Sequence, residues 1–251
     1  MPPATSPATP PATPRHFGVL IPSTNTTVET EFSHLLPANI LQAHYGRVMS
    51  RSPDKSPFQP PLDADVEYQS KMLGTARVEL IILLQSSASL FEDDFDEKTV
   101  ARIEAASGVP GITSAMSVGA AARALGTTNV ALVSPYSEPV NASARRYFEG
   151  RYGLKIVALE GFAATDSYAI GNLGPENARD AFARINRPEI QAFLVPGGNF
   201  PTMASIPGWE REFGKPVITT NQAALWAMMR KIGCTDRLPG LGRLLEQMPT
   251  G

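Results

Sequence analysis

Cysteine is nearly missing from this chain: Cys234 is the only one in 251 residues. A single thiol can form neither an intrachain disulfide nor a cysteine-based zinc site, and such usage fits a reducing cytosol. Histidine is almost as scarce. His16, His34 and His44 have no metal-binding spacing, so no metal site is expected, although carboxylates alone can hold magnesium. Charge is thin as well: 18% of residues are charged, with a net charge of −2. That balance offers no broad attraction to nucleic acid or an anionic membrane. No apolar run approaches the roughly 20 residues a membrane helix needs. What remains is a chain with 43% hydrophobic residues, long enough for one large domain or two small ones.

Residues 1–15, MPPATSPATPPATPR, are a Pro/Ala/Thr tract without the apolar stretch of a secretory signal. Such a segment cannot bury enough surface to offset its ordering entropy, so a disordered tail is expected. Beyond it, short β-branched runs alternate with helical patterns. Strands are expected at 17–21, 40–48, 79–84, 109–113, 129–133, 154–160, 190–195 and 216–219, and helices at 62–76, 95–106, 114–125, 138–150, 176–186 and 220–232. Strands joined by crossover helices imply parallel sheets covered on both faces.

The order then repeats. FGVLIPSTNTTVETEF answers to VALVSPYSEPVNASARRYF, LIILLQSSAS to AFLVPGGNFPT, and VPGITSAMSVGAAARALG to KPVITTNQAALWAMMRKIG. Three matches in the same order predict an α/β fold of two pseudo-symmetric open parallel-sheet halves, with the site in the cleft between them. The expected units are 16–126 and 127–240, followed by a C-terminal tail at 241–251. In open α/β sheets ligands bind beyond the carboxyl ends of the strands. The segments just there, 22–27, 85–89, 113–114, 134–137, 196–199 and 219–221, are rich in Ser, Thr, Asn or Gly and carry no Lys, Arg or His. Hydroxyl and backbone donors of this kind suit a small anion at helix N-termini.

These motifs carry a family resemblance. GVLIPSTNTTVETEF resembles the opening of the maleate cis-trans isomerases of the aspartate/glutamate racemase superfamily. ALVSPYSEPVN, IPGWEREFGKPVITTNQAALW and PGLGRLL resemble that group and its sister, the arylmalonate decarboxylases. The resemblance implies no cofactor, a possible homo-oligomer, and a small carboxylate substrate held between two loops. It also implies one or two catalytic cysteines, one after the third strand of each half. By the flanking residues those positions fall on Ser86 and Pro196, so both family cysteines are absent. A serine hydroxyl is far less acidic than a thiol and needs an adjacent base, and proline has no side-chain proton. The thiol mechanism does not carry over; the ligand cradle does.

Position by position, the resemblance assigns Ser23, Asn25 and Thr26 to carboxylate or substrate contacts and puts Ser86 and Ser87 beside the reacting carbon. Tyr136 and Ser137 contact the substrate from the second half, and Gly197, Gly198 and Asn199 offer backbone donors. Ser23 to Thr27 also read as helix caps, but the matching polar loop in the other half favours half of an anion cradle. Within SSASLFEDDFDEKTV, the acidic residues read as a solvated face near a helix start, with Glu92 or Asp93 turning inward as a base the alternative. The expected function is a cytosolic, cofactor-independent isomerase or carbon–carbon lyase acting on a small carboxylic acid, with Ser86, Tyr136 and Asn25 catalytic. Two alternatives stay open: a hydrolase of a small amide, lactone or enamide, and a carboxylate-binding protein without turnover.

Overall fold

The computed structural model describes residues 13–51 and 58–250. The expected tail lies largely outside them, and its last residue, Arg15, already opens a strand. The first half runs β1 (Arg15–Pro22), α1 (Val28–Leu35), β2 (Leu41–Val48), α2 (Asp63–Thr75), β3 (Ile81–Leu83), α3 (Phe95–Ser107), β4 (Gly111–Thr113) and α4 (Ser114–Ala124). The second runs β5 (Asn129–Ser134), α5 (Glu138–Tyr152), β6 (Lys155–Gly161), α6 (Ser167–Gly171), α7 (Pro175–Ile185), β7 (Ala192–Val195), α8 (Ile206–Phe213), β8 (Val217–Thr219), α9 (Thr220–Lys231) and α10 (Arg243–Gln247). Single 3-10 turns follow β3 and β7, at Ala88–Leu90 and Met203–Ser205.

Each half is a four-stranded sheet, ordered β2-β1-β3-β4 and β6-β5-β7-β8, and every strand pair is parallel. The same permutation occurs twice, offset by four strands, as the sequence repeat predicts. Central strands buried on both faces read as continuous apolar runs: Ile81–Leu83 and Ala192–Val195 are wholly buried. The edge strands β2 and β6 alternate buried with partly exposed residues.

A single core joins the two sheets, and a smaller one, including Leu20, Val66, Leu73 and Ile103, lies beneath α2 and α3. The halves meet along α4 and α9. Both helices bury alanines there, Ala115, Ala121 and Ala122 against Ala223 and Ala224, and small side chains let helix axes approach closely. Each helix begins directly after a strand, and each is capped by the strand's last residue. Thr113 accepts from the Met116 N–H and Thr219 from the Gln222 N–H, both at 3.5 Å. The close pairing therefore brings the N-terminal residues Ser114 and Thr220 toward the same point. Residues 241–248 dock on α9: Leu244 and Leu245 are buried, and the Leu241 carbonyl accepts from Gln222 Nε2 at 2.7 Å.

Candidate functional site

The carboxyl ends of the strands from both halves converge on a small cavity of about 30 Å³, lined by Pro22, Asn25, Phe58, Leu84, Gln85, Ser86, Ser87, Tyr136, Ser167, Ile170, Gly197, Gly198 and Asn199. An outer pocket of about 330 Å³ shares Pro22, Gln85 and Ser167 with it and adds Ser23, Thr24, Met49, Ser50, Asp166 and Tyr168. The inner space holds little more than one or two waters, so a ligand group enters it only by displacing them. A larger groove of about 790 Å³ lies between α2 and α3. It is away from the strand ends and gathers no converging polar groups from the second half.

Asn25 answers the question of cap or cradle with both. Its side chain is buried, and Oδ1 accepts from the Thr27 and Val28 N–H groups, each at 3.0 Å. Both neighbours are donors, so the oxygen must face them. The Nδ2 hydrogens are then the part of this cavity-lining amide left for a ligand. Asn199 is different. Its Oδ1 takes the Thr26 and Thr27 N–H groups at 2.8 and 3.1 Å, and its Nδ2 donates to the Ser167 carbonyl at 2.6 Å. Its side chain ties the second half to the first, while its main chain faces the cavity loop. Thr27 Oγ1 completes the tie on the Asn199 carbonyl at 2.8 Å.

Ser86 sits at the cavity floor, where its hydroxyl lies 3.2 Å from Ser114 Oγ and 2.9 Å from Thr220 Oγ1. Thr220 Oγ1 also accepts from the Gly197 N–H at 3.0 Å. Among the described residues no protein acceptor takes the N–H of Gly198 or Asn199. The Pro-Gly-Gly bend needs both glycines: Gly197 has φ +107°, and a Cβ on Gly198 would lie 2.5 Å from Leu84 Cδ2. A side chain at either position would close the approach to these amides.

Tyr136 is buried against the edge of Phe58, with ring centroids 5.2 Å apart. Burial drives its phenol well above the ordinary tyrosine range, only partly offset by the Ser87 hydroxyl. The group therefore keeps its proton at neutral pH and acts as a donor. Its carbonyl is fixed by Asn141 Nδ2 at 2.9 Å.

Two buried carboxylates lie behind the site without lining it. Glu31 of α1 accepts from the Thr202 and Met203 N–H groups at 2.6 and 2.8 Å and from Asn221 Nδ2 at 2.7 Å. Asn221 Nδ2 also reaches the Gly198 carbonyl at 3.1 Å. Desolvation nevertheless raises the Glu31 pKa, those hydrogen bonds countering it. Asp96 of α3 accepts from Ser89 and Thr113 hydroxyls, both at 2.6 Å, and from the Tyr147 phenol of α5. Within the acidic stretch the inward residue is thus Asp96, not Glu92 or Asp93. Glu92 pairs with Arg51 and Asp93 is exposed.

The structure brings together Asn25, Ser86, Ser87, Tyr136, Gly197, Gly198 and Asn199. Ser23 lies in the outer pocket. Thr26 is exposed, with its N–H spent on Asn199. Ser137 occupies the N-cap position of α5 without capping it, and lies outside both pockets. Sequence reasoning missed Phe58 and reached Gln85, Ser114 and Thr220 only as members of the polar segments after β3, β4 and β8, without individual roles. The last two had a signal: Ile-Thr-Ser in PGITSA and Ile-Thr-Thr in PVITTN stand at equivalent points of the repeat. Among the described residues no group of three or more His, Cys, Asp or Glu is placed to hold a metal ion, and Cys234 is buried near Asp236.

Comparison with known proteins places this geometry. The maleate isomerase of Nocardia farcinica (strain IFM 10152) is 27% identical over 93% of this chain and 96% of its own length. The arylmalonate decarboxylase of Bordetella bronchiseptica is 27% identical over 67% of this chain and 71% of its own. A crystal structure of a cysteine-to-alanine variant of the maleate isomerase Iso from Pseudomonas putida S16 with maleate matches with a TM-score of 0.82 at 25% identity, covering 92% of this chain and 97% of that one. A family model for arylmalonate decarboxylase matches residues 17–245, nearly the whole described fold with both sheets and the cavity between them, and the chain belongs to that family.

Proposed function

We propose that this protein is a cofactor-independent carbon–carbon lyase that decarboxylates a small 2-substituted malonate-type diacid. Residues 16–126 and 127–240 are the two proposed units, each giving one wall of the site. The observation that carries this reading is the chemistry of the cavity wall. Among the described lining residues there are hydroxyls, carboxamides, a phenol and backbone amides, but no thiol, imidazole, ammonium or carboxylate. Thiolate addition to a double bond, which the isomerase resemblance implies, has no nucleophile here.

Decarboxylation needs no nucleophile. The electron pair of the breaking carbon–carbon bond stays on the substrate as an enediolate while carbon dioxide leaves. Asn25 Nδ2, the Tyr136 hydroxyl and the Gly198 and Asn199 amides hold the developing charge. Pro22, Phe58, Leu84 and Ile170 supply the apolar part of the wall, where a departing carboxylate loses hydration. Ser86 and Ser87 sit beside the reacting carbon. One hydroxyl gives it a proton and regains one from water, so each turnover consumes one proton and yields carbon dioxide and a monoacid.

Ser23 meets the outer part of the substrate, and Thr26 and Ser137 support the two loops. The lone cysteine and the family resemblance support a cytosolic homo-oligomer. Isomerisation of a small unsaturated diacid is the second reading, favoured by the maleate isomerase relatives. Hydrolysis is not favoured, because none of the described lining residues is a base that activates water. The test is proton NMR in D2O with 2-phenylmalonate, 2-methylmalonate and maleate. Carbon dioxide release with one deuterium in the monoacid is expected; conversion of maleate to fumarate with intact malonates would falsify the lyase reading.

A further inference from the structure

We infer that Thr220 is a positioning residue that points the hydroxyl proton of Ser86 into the cavity; this rests on the decarboxylase reading. The argument is a count of donors and acceptors. Thr220 Oγ1 already accepts the Gly197 N–H at 3.0 Å. Among the described residues its own proton has one oxygen within reach, Ser86 Oγ at 2.9 Å. Thr220 and Ser86 are both buried, and a buried hydroxyl proton left without an acceptor costs about 1–3 kcal/mol. Thr220 therefore donates and Ser86 accepts.

That direction fixes what Ser86 can do. The same count applies to Ser114, whose buried hydroxyl has only Ser86 Oγ within reach among the described residues, at 3.2 Å. With both lone pairs taken, the Ser86 proton is left for a ligand in the cavity it lines. The Ser114 hydrogen bond is the longer and so the weaker of the two on Ser86. When the Ser86 O–H bond breaks and a C–H bond forms on the enediolate carbon, Thr220 keeps a hydrogen bond on the resulting alkoxide until water reprotonates it. The element that carries Thr220 is held on both sides. Asn221, the next residue, is anchored on Glu31 and the Gly198 carbonyl, and Thr219 caps the same turn.

The test compares Thr220→Val, Thr220→Ser, Ser114→Ala, Ser86→Ala and the Ser86→Ala/Thr220→Val double variant. Turnover of 2-phenylmalonate and the Kd for phenylacetate, followed by NMR titration, are the readouts. Thr220→Val lowers kcat about tenfold, the worth of one hydrogen bond, and Thr220→Ser restores it. Ser114→Ala lowers kcat less than Thr220→Val does, because the hydrogen bond it removes from Ser86 is the longer and weaker one. In the Ser86→Ala background Thr220→Val has no further effect, since coupled residues are not additive. Phenylacetate binding weakens in Thr220→Val and recovers in Thr220→Ser. A further loss in the double variant, equal losses in Thr220→Val and Ser114→Ala, or no recovery with serine overturns the inference. Absence of malonate turnover in the unmodified protein overturns the decarboxylase reading instead. The phenylacetate series then decides the orientation of Ser86 by itself: recovery with serine upholds it, and equal affinities in all variants overturn it.

Discussion

The two halves share a strand order and a pair of helix caps, yet they face the cavity with different chemistry. After β3 the first half offers side chains, Gln85, Ser86 and Ser87. After β7 the second offers main chain, through Gly197, Gly198 and Asn199. Their fastenings differ too. Glu31 reaches from α1 straight onto main-chain N–H groups at the start of the 3-10 turn after β7. In the opposite sense, Tyr147 of α5 grips the turn after β3 through Asp96 and Ser89. Each half's first helix secures the other half's loop, one directly and one through an intermediary. Duplicated architecture can thus divide its labour at equivalent loops, with hydroxyl side chains after β3 and fixed backbone donors after β7.

The sharpest break in this comparison is Asn25→Asp. A carboxylate still accepts the Thr27 and Val28 N–H groups, so the helix start survives, but the amide hydrogens are lost and a negative charge faces the ligand. Turnover should fall by roughly 10²–10³, the usual cost of one oxyanion donor, with little change in Tm. A parallel drop in Tm would show that Asn25 serves the fold alone. Tyr136→Phe comes next, with a similar loss of kcat and a folded protein by circular dichroism. On the second wall, Gly197→Ala forces a side chain onto φ +107° and should cost about 1–3 kcal/mol in denaturant unfolding, a penalty that Ser87→Ala on the first wall escapes.

Smaller effects separate the two fastenings. Asp96→Asn removes one of two acceptor oxygens from a group serving three hydroxyls, and a loss of about 1–3 kcal/mol is expected. Glu31 supplies a pH signature. Its folded pKa lies above the ordinary glutamate value because of burial, so the folded state binds its proton more readily than the unfolded one. Its contribution is fully present below the unfolded pKa and is lost as pH rises through the folded one. Glu31→Gln should flatten that segment of the stability-against-pH curve, read from chemical denaturation at a series of acidic pH values; an unchanged slope would assign it to other groups.

Much of this was legible in the residues. Alternating apolar runs and helical stretches located all eight strands, because buried parallel strands leave unbroken apolar segments and crossovers leave amphipathic ones. Three repeated segments in the same order, one of them carrying Pro-x-Ile-Thr, predicted two similar parallel-sheet halves. Short elements escaped: α6 spans only Ser167–Gly171, and α8 begins with Ile-Pro-Gly, which reads as a turn until Trp209 buries. Within the site, the polar loops were visible as composition, but the direction of each group was not. Nothing in STNTT says that one amide oxygen turns back to α1. Nor does DDFDEK reveal that the third aspartate, not the first two, is the one buried beneath α5. The first outcome is a choice among close neighbours, Thr27 and Val28, whereas the second depends on Tyr147, 51 positions away.

The double engagement of Asn25 has a consequence for selectivity. Its oxygen is locked onto two main-chain hydrogens, so the amide cannot rotate to present an acceptor. The cavity is therefore polarised in one sense: it welcomes lone pairs and turns away hydrogens. An ionised carboxylate satisfies it and the protonated acid or the neutral amide does not. Affinity should then track the ionisation of the ligand itself, fading as the solution is acidified past the ligand's own pKa.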